Sequence, residues 1–167
     1  MASGAAAITS SGPRSAARLA LPALTGSPQA RRADDLPPLD VIAAAPLAIG
    51  DDVTHLREVA RPVFALYIGG MGARGRNFYH DLACRYGYEQ EANAIQDAYL
   101  AGRKDEAAAL VPAELVEKTA LIGPKGYVAE RLAAFKETGV STLNVTALAS
   151  THEARVADIA QIRGLTG

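Results

Sequence analysis

Cysteine is almost absent: Cys84 is the only one in 167 residues. One thiol can neither close an internal disulfide nor build a thiolate cluster, which fits a reducing compartment and gives the cytoplasm as the expected location. Tryptophan is missing and aromatics make up 5% of the chain, poor material for stacking nucleobases. An excess of either charge is lacking too, since 17 basic and 18 acidic residues leave a net charge of -1. No overall field therefore draws the chain to nucleic acid or an anionic bilayer, and neither is expected as a partner. Charged residues, Gly or Pro interrupt every apolar run well short of the roughly eighteen residues that a membrane span needs. His55, His80 and His152 are scattered without ligand-pair spacing, so no metal is expected. Cys84 falls on an expected helix with no evident His base, and Glu106, Glu114, Glu117 and Glu130 read as helix-surface charges. No catalytic residue is assigned.

What is present divides into two parts. Residues 1–33 hold four arginines and no acid, and Pro13, Pro22, Pro28, Pro37 and Pro38 break the segment through residue 38. It reads as a disordered tail or linker, with an organellar targeting segment as the other reading of the same composition. Residues 39–167 read as one α/β domain. Leu39 to Ile49 is a strand buried on both faces, with Pro46 expected to end its regular pairing. Asp51 to Ala120 is nearly all helix, interrupted at Pro62 and by a loop from Gly69 to Gly75, with Asn77 as a helix cap. A short apolar segment at Leu121, a helix over Lys125–Thr138 ended by Gly139, a strand over Val140–Thr146 and a final helix over Thr151–Ile162 follow. The last helix is expected to turn Val156, Ile159 and Ala160 inward. Strands alternating with helices predict a parallel sheet built from sequential right-handed units.

Two blocks carry a family resemblance. IGPKGYVAERLAAFKETGVSTLNVTAL, residues 122–148, resembles the terminal barrel unit of the luciferase-like monooxygenases. PLAIGDDVTHLREVARPVFALYIGGMGARGRNFYHDLACRYGYE, residues 46–89, is similar to the branch of that family that uses the deazaflavin coenzyme F-420. The resemblance runs from about Leu39 to Leu165. It implies the carboxy-terminal part of a (β/α)8 TIM barrel, about three βα units with a long helical insertion. For the parent enzyme it implies hydride transfer between F-420, or FMN in other branches, and a small organic substrate. A whole barrel takes about 250 residues, and the family's ring-binding strands have no counterparts here. The chain is thus expected to be a fragment that binds no cofactor tightly alone, with the missing barrel half or a homo-oligomer as possible partners.

Gly70, Gly72 and Gly75 satisfy G-x-G-x-x-G, which would cradle a pyrophosphate if Val63–Ile68 were a strand; no second strand follows at the right place, so the dinucleotide reading is weak. On the family reading, Gly70, Gly72, Arg74, Arg76 and Asn77 are candidate cofactor-binding residues, flanked by Tyr67 and Tyr79 as candidate substrate contacts. Gly123 and Lys125 join them at a strand-to-helix junction whose amides can face a phosphate. A solvated glycine hinge is the favoured alternative for the first group, and a simple turn for the second. The contrasting class is a non-enzymatic helical interaction module, favoured by the alanine-rich helices and the missing catalytic constellation.

Overall fold

The computed structural model describes residues 40–166, so the segment read as a tail lies outside the described residues. Three strands form one parallel sheet: β1 (Ile42–Ile49), β2 (Leu121–Gly123) and β3 (Thr142–Ala147). Between β1 and β2 come α1 (Leu56–Ala65), a π-helical turn over Leu66–Gly70, α2 (Phe78–Arg85), α3 (Glu89–Leu100), α4 (Lys104–Ala109) and α5 (Ala113–Thr119). Then α6 (Lys125–Glu137) follows β2, and α7 (His152–Thr166) follows β3. No helix among the described residues is long and apolar enough to cross a membrane.

The sheet order is β2-β1-β3, so β3 pairs with β1 and not with β2. This corrects the expectation of units laid down side by side in sequence. The physical reason lies in strand length: β2 has three residues and offers no edge for a six-residue partner, whereas β1 offers eight. Ile42 pairs with Thr142 and Leu47 with Ala147 on one edge of β1, and Leu47 to Ile49 pair with Leu121 to Gly123 on the other.

Pro46 sits inside this central strand without ending it, contrary to expectation. Successive residues of a strand aim their backbone groups at opposite neighbours. Leu47 accepts from Leu148 on the β3 side and Gly50 donates to Gly123 on the β2 side, so Pro46, in step with Gly50, faces the β2 side. There β2 begins only at Leu121, opposite Leu47. The missing N–H of Pro46 therefore breaks no ladder bond.

Alternation along the strands sorts the two cores. Leu47, Ile49 and Leu121 point to one face, where Val128, Leu132 and Phe135 of α6 and Ile162 of α7 cover them. Ala48 and Ile122 point to the other, under an alanine-dominated cluster in which Ala60, Ala65, Ala83, Ala92, Ala98 and Ala107 let the helices of the excursion pack closely. Both faces are thus covered at the carboxyl end of β1, as a parallel sheet requires. At its amino end Ile42 and Ala44 remain exposed on the second face.

Helix α7 is rotated relative to expectation. Asp158 and Ile162 are buried, whereas Val156, Ile159 and Ala160 face outward. The rotation lets the Asp158 carboxylate accept the Ile49 N–H at 3.2 Å, on the edge of β1 where β3 has already ended. A backbone donor that would otherwise be buried without a partner is thereby satisfied.

Two predictions follow from these elements. Burial raises the Asp158 pKa above its ordinary 3.8, while the Ile49 N–H lowers it less. A carboxyl pKa raised in the fold means that stability is fully present below the unfolded pKa and lost as pH rises through the folded one. Asp158→Asn keeps an oxygen for Ile49, so it should be more stable than the parent at neutral pH. The difference should vanish in urea titrations at a pH below the ordinary aspartate value. Gly139 adopts φ +85° after α6, as its place at a helix end predicts, so Gly139→Val should cost about 1–3 kcal/mol in the same titrations while Ala134→Ser costs little.

Candidate functional site

The segment from Tyr67 to Tyr79 folds around one amide. Asn77 is buried, and its Oδ1 accepts from the backbone of Tyr79 at 3.0 Å and His80 at 3.3 Å, capping α2. Its Nδ2 donates to the carbonyls of Tyr67 at 2.9 Å and Ile68 at 2.8 Å. Those carbonyls are in the π-helical turn, where the ordinary helical ladder is disrupted. Both donors and both acceptor positions of the side chain are consumed, so Asn77 has nothing left to offer a cofactor. It is a clamp that closes the glycine segment onto α2.

The glycines are explained by the same packing. A Cβ on Gly70 would collide with the Tyr99 ring of α3, and one on Gly72 with the Arg76 carbonyl. Val63–Ala65 belong to α1 and Leu66–Gly70 to the π-helical turn. No strand enters the motif, so the βαβ setting that dinucleotide binding requires is not there. Arg74 forms an ion pair with Asp97 of α3. Arg76 is exposed, and its guanidinium makes no hydrogen bond or ion pair among the described residues.

Tyr67 and Tyr79 come together edge to face, with centroids 4.7 Å apart and planes at 78°, and Phe78 extends the cluster to 5.5 Å from Tyr79. Both tyrosines line a cleft of about 590 Å³. Its wall is α1, the π-helical turn and α2, contributing Val59, Val63 and Tyr86 among others; its floor is the uncovered part of the sheet, with Ala44, Pro46 and Thr146.

Gly123 and Lys125 lie elsewhere, at the carboxyl end of β2. The Gly123 carbonyl accepts from Gly50 at 3.1 Å, and Pro124 leads into α6 without a side-chain cap. The first helical bond there is made by the Val128 N–H to Pro124, so the amides of Lys125, Gly126 and Tyr127 have no partner one turn back. Lys125 is exposed and Gly126 faces open space, a combination suited to an anion. No hydrogen bond or ion pair joins this junction to the segment around Asn77.

Several residues that organise the site were not singled out in the sequence. Arg57 donates to the Ile122 carbonyl at 3.0 Å and pairs with Glu117 at 3.4 Å; Arg61 donates to the carbonyls of Ala109 and Val111 at 3.2 and 2.5 Å. Tyr127 lies under both Arg57 and Arg131, at 5.6 and 5.3 Å, and burial pushes its phenol pKa up against the opposing effect of those cations. Their only advance sign was the spacing of Arg57 and Arg61 on one helical face. Cys84 does have a histidine neighbour, with His80 Nδ1 at 3.8 Å, and His80 Nε2 contacts Asn93 Oδ1 at 3.1 Å. Burial, Glu89 and Asp81 all push the thiol pKa up, opposite to what a thiolate nucleophile needs.

A family model for luciferase-like monooxygenases matches residues 4–142. The chain belongs to the luciferase-like monooxygenase family. The matched span takes in most of the segment read from composition as a tail. The chain is also 37% identical over 120 residues to a Mycobacterium tuberculosis protein described as a coenzyme F-420-dependent oxidoreductase, covering 72% of this chain. These findings support both resemblances read from the sequence, to the family and to its deazaflavin branch. The luciferase-like chain spans about a third of that relative, 34% of its length. No solved structure matches.

The Asn77 clamp is testable directly. Asn77→Asp keeps the cap acceptor but sets a carboxylate against two carbonyls, and should destabilise by about 2–4 kcal/mol, well beyond the cost of Asn77→Ser. Thermal midpoints at neutral pH compare the two.

Proposed function

We propose that this chain contributes to an oxidoreductase that transfers hydride between coenzyme F-420, with FMN as the other cofactor choice, and a small organic substrate. The observation that carries the reading is the 37% identity to a relative described as F-420-dependent, over 72% of this chain. When bound, the deazaflavin supplies the hydride. The residues here fit its anionic part better than its ring. The unpartnered amides at the start of α6 and the exposed Lys125 suit a phosphate or carboxylate, and Arg76 is the uncommitted arginine of the glycine segment. Arg74 is held by Asp97, while Gly70, Gly72 and Asn77 shape the segment and so position Arg76 indirectly. Tyr67 and Tyr79 border the cleft that receives the substrate, whose walls are largely apolar and whose floor is the uncovered part of the sheet.

On this reading, tight cofactor binding needs the remaining part of the site, because contacts to one anionic group leave little surplus after the entropy cost of association. Fluorescence titration with F-420 should show no micromolar saturation by residues 1–167 alone. Joined to the part of the relative that it does not match, the chain should bind, and Arg76→Ala with Lys125→Ala should weaken that binding about tenfold or more through lost charge-assisted contacts. Micromolar affinity of the isolated chain, or a double variant with unchanged affinity, would overturn the assignment.

A further inference from the structure

We infer that β3 is a docking edge for a second copy of this chain, the two β3 strands pairing antiparallel about a two-fold axis through Val145. In the order β2-β1-β3, one edge of β3 meets β1 and the other meets no strand among the described residues. The N–H groups of Thr142 and Leu148 go to Val41 and Leu47 on the β1 side. Backbone groups alternate along a strand, so Leu143, Val145 and Ala147 aim their N–H and C=O groups out of the sheet. The other open edges are poorer templates: β2 has three residues, and the unpaired part of β1 holds Pro46, which has no N–H.

Edge strands commonly block such pairing with a charge, a proline or a bulge. β3 carries none of them: Thr142 to Ala147 pair with β1 without a break in register, and from Gly139 to Thr151 the sequence holds no charged residue and no proline. A two-fold contact sets a patch against itself, so any charge on the strand would meet its own sign. The register follows from the outward groups. Only with Val145 opposite Val145 of the second copy do all the outward residues pair, Leu143 then facing Ala147, and each such pair exchanges two N–H···O bonds. Leu143 and Val145 are half-buried against the core on the α6 and α7 face. There the seam sets Val145 against its twin and the larger Leu143 against the small Ala147. On the opposite face the exposed Asn144 lies across from the exposed Thr146, a polar pair able to hydrogen-bond. The two sheets become one continuous sheet, and this pairing does not rest on the oxidoreductase reading.

Sedimentation velocity of the full chain at concentrations up to about 100 µM should show a monomer–dimer equilibrium and nothing larger. Asn144→Lys, at an exposed position, sets two ammonium groups diagonally across the seam and should weaken dimerisation about tenfold or more. Gln90→Lys, exposed on α3 and making the same change of charge, should leave it unchanged, with circular dichroism comparing the helical content of both. Cross-linking reads the register, in a Cys84→Ser background that removes the only native thiol. Asn144→Cys mixed with Thr146→Cys should be oxidised by glutathione disulfide to a linked dimer, because such a pair lies between hydrogen-bonded pairs with Cα atoms about 4.5 Å apart. A chain that stays monomeric over that range, its edge left to another segment or partner, would overturn the inference. So would growth beyond the dimer, equal effects of the two lysine variants, or a mixture that cross-links no faster than either cysteine variant alone.

Discussion

Strand β1 has two edges of backbone donors and acceptors to satisfy and two faces to cover, and the rest of the molecule is arranged around that requirement. β3 takes the longer edge, β2 the carboxyl end of the other, and the Asp158 carboxylate meets the donor left over where β3 stops. Each choice fixes something further out. Pairing with β3 brings α7 over the same face as α6, and the Asp158 contact then sets the rotation of α7 and leaves Val156 and Ile159 outside. A carboxylate is an expensive way to satisfy one N–H in a buried place, since desolvation favours its neutral form. The alternative, an orphaned donor in the centre of the sheet, costs as much or more.

The other face is held by a different device. Its cluster is mostly alanine, which permits close approach but contributes little apolar area per residue. Polar side chains compensate. Arg57 and Arg61 extend from α1 to carbonyls at the end of β2 and after α4, and Asn77 ties the π-helical turn to α2. These are bonds to backbone groups that helix and strand ends leave unsatisfied, so they orient elements while removing the penalty of buried polar atoms. The cost is that these side chains are no longer available for ligands, which is why so few of the glycine segment's polar groups remain free.

How much of this was legible depended on the range of the interaction. The cap at Asn77, the stop at Gly139 and the strand beginning at Leu121 follow from local chemistry, and the structure has them at those places. The π-helical turn was read as an apolar segment running into a loop, because nothing local announces that Asn77 will take the Tyr67 and Ile68 carbonyls. Pro46 and the face of the last helix were misread for one reason: Pro46 and the buried Asp158 each break a residue-level rule, and the compensation lies in a register or a partner more than seventy residues away. The candidate site divided along the same line. Tyr67 and Tyr79 were paired by proximity in the chain and do meet, whereas the commitment of Arg74 to Asp97 and the clash that keeps position 70 a glycine involve α3 and could not be read from the segment itself.

The resulting distribution of charge is informative about chemistry. One part of the chain, the start of α6 with Lys125, offers positive potential and open amides; another, the cleft against the uncovered sheet, offers aromatic and aliphatic walls without a formal charge. The hydride transfer proposed above would ask for this division, because an anionic cofactor is anchored by its tail while the reacting carbon centres meet against an apolar surface. The anchoring interaction gains from exposed cations, which keep their hydration until the ligand arrives. The reacting region gains from their exclusion, because a stray charge there would bring water with it. By tying Arg57, Arg61 and Arg74 to carbonyls and to Asp97, the fold keeps those cations out of the cleft even though α1 carries two of them on the helix that forms its wall.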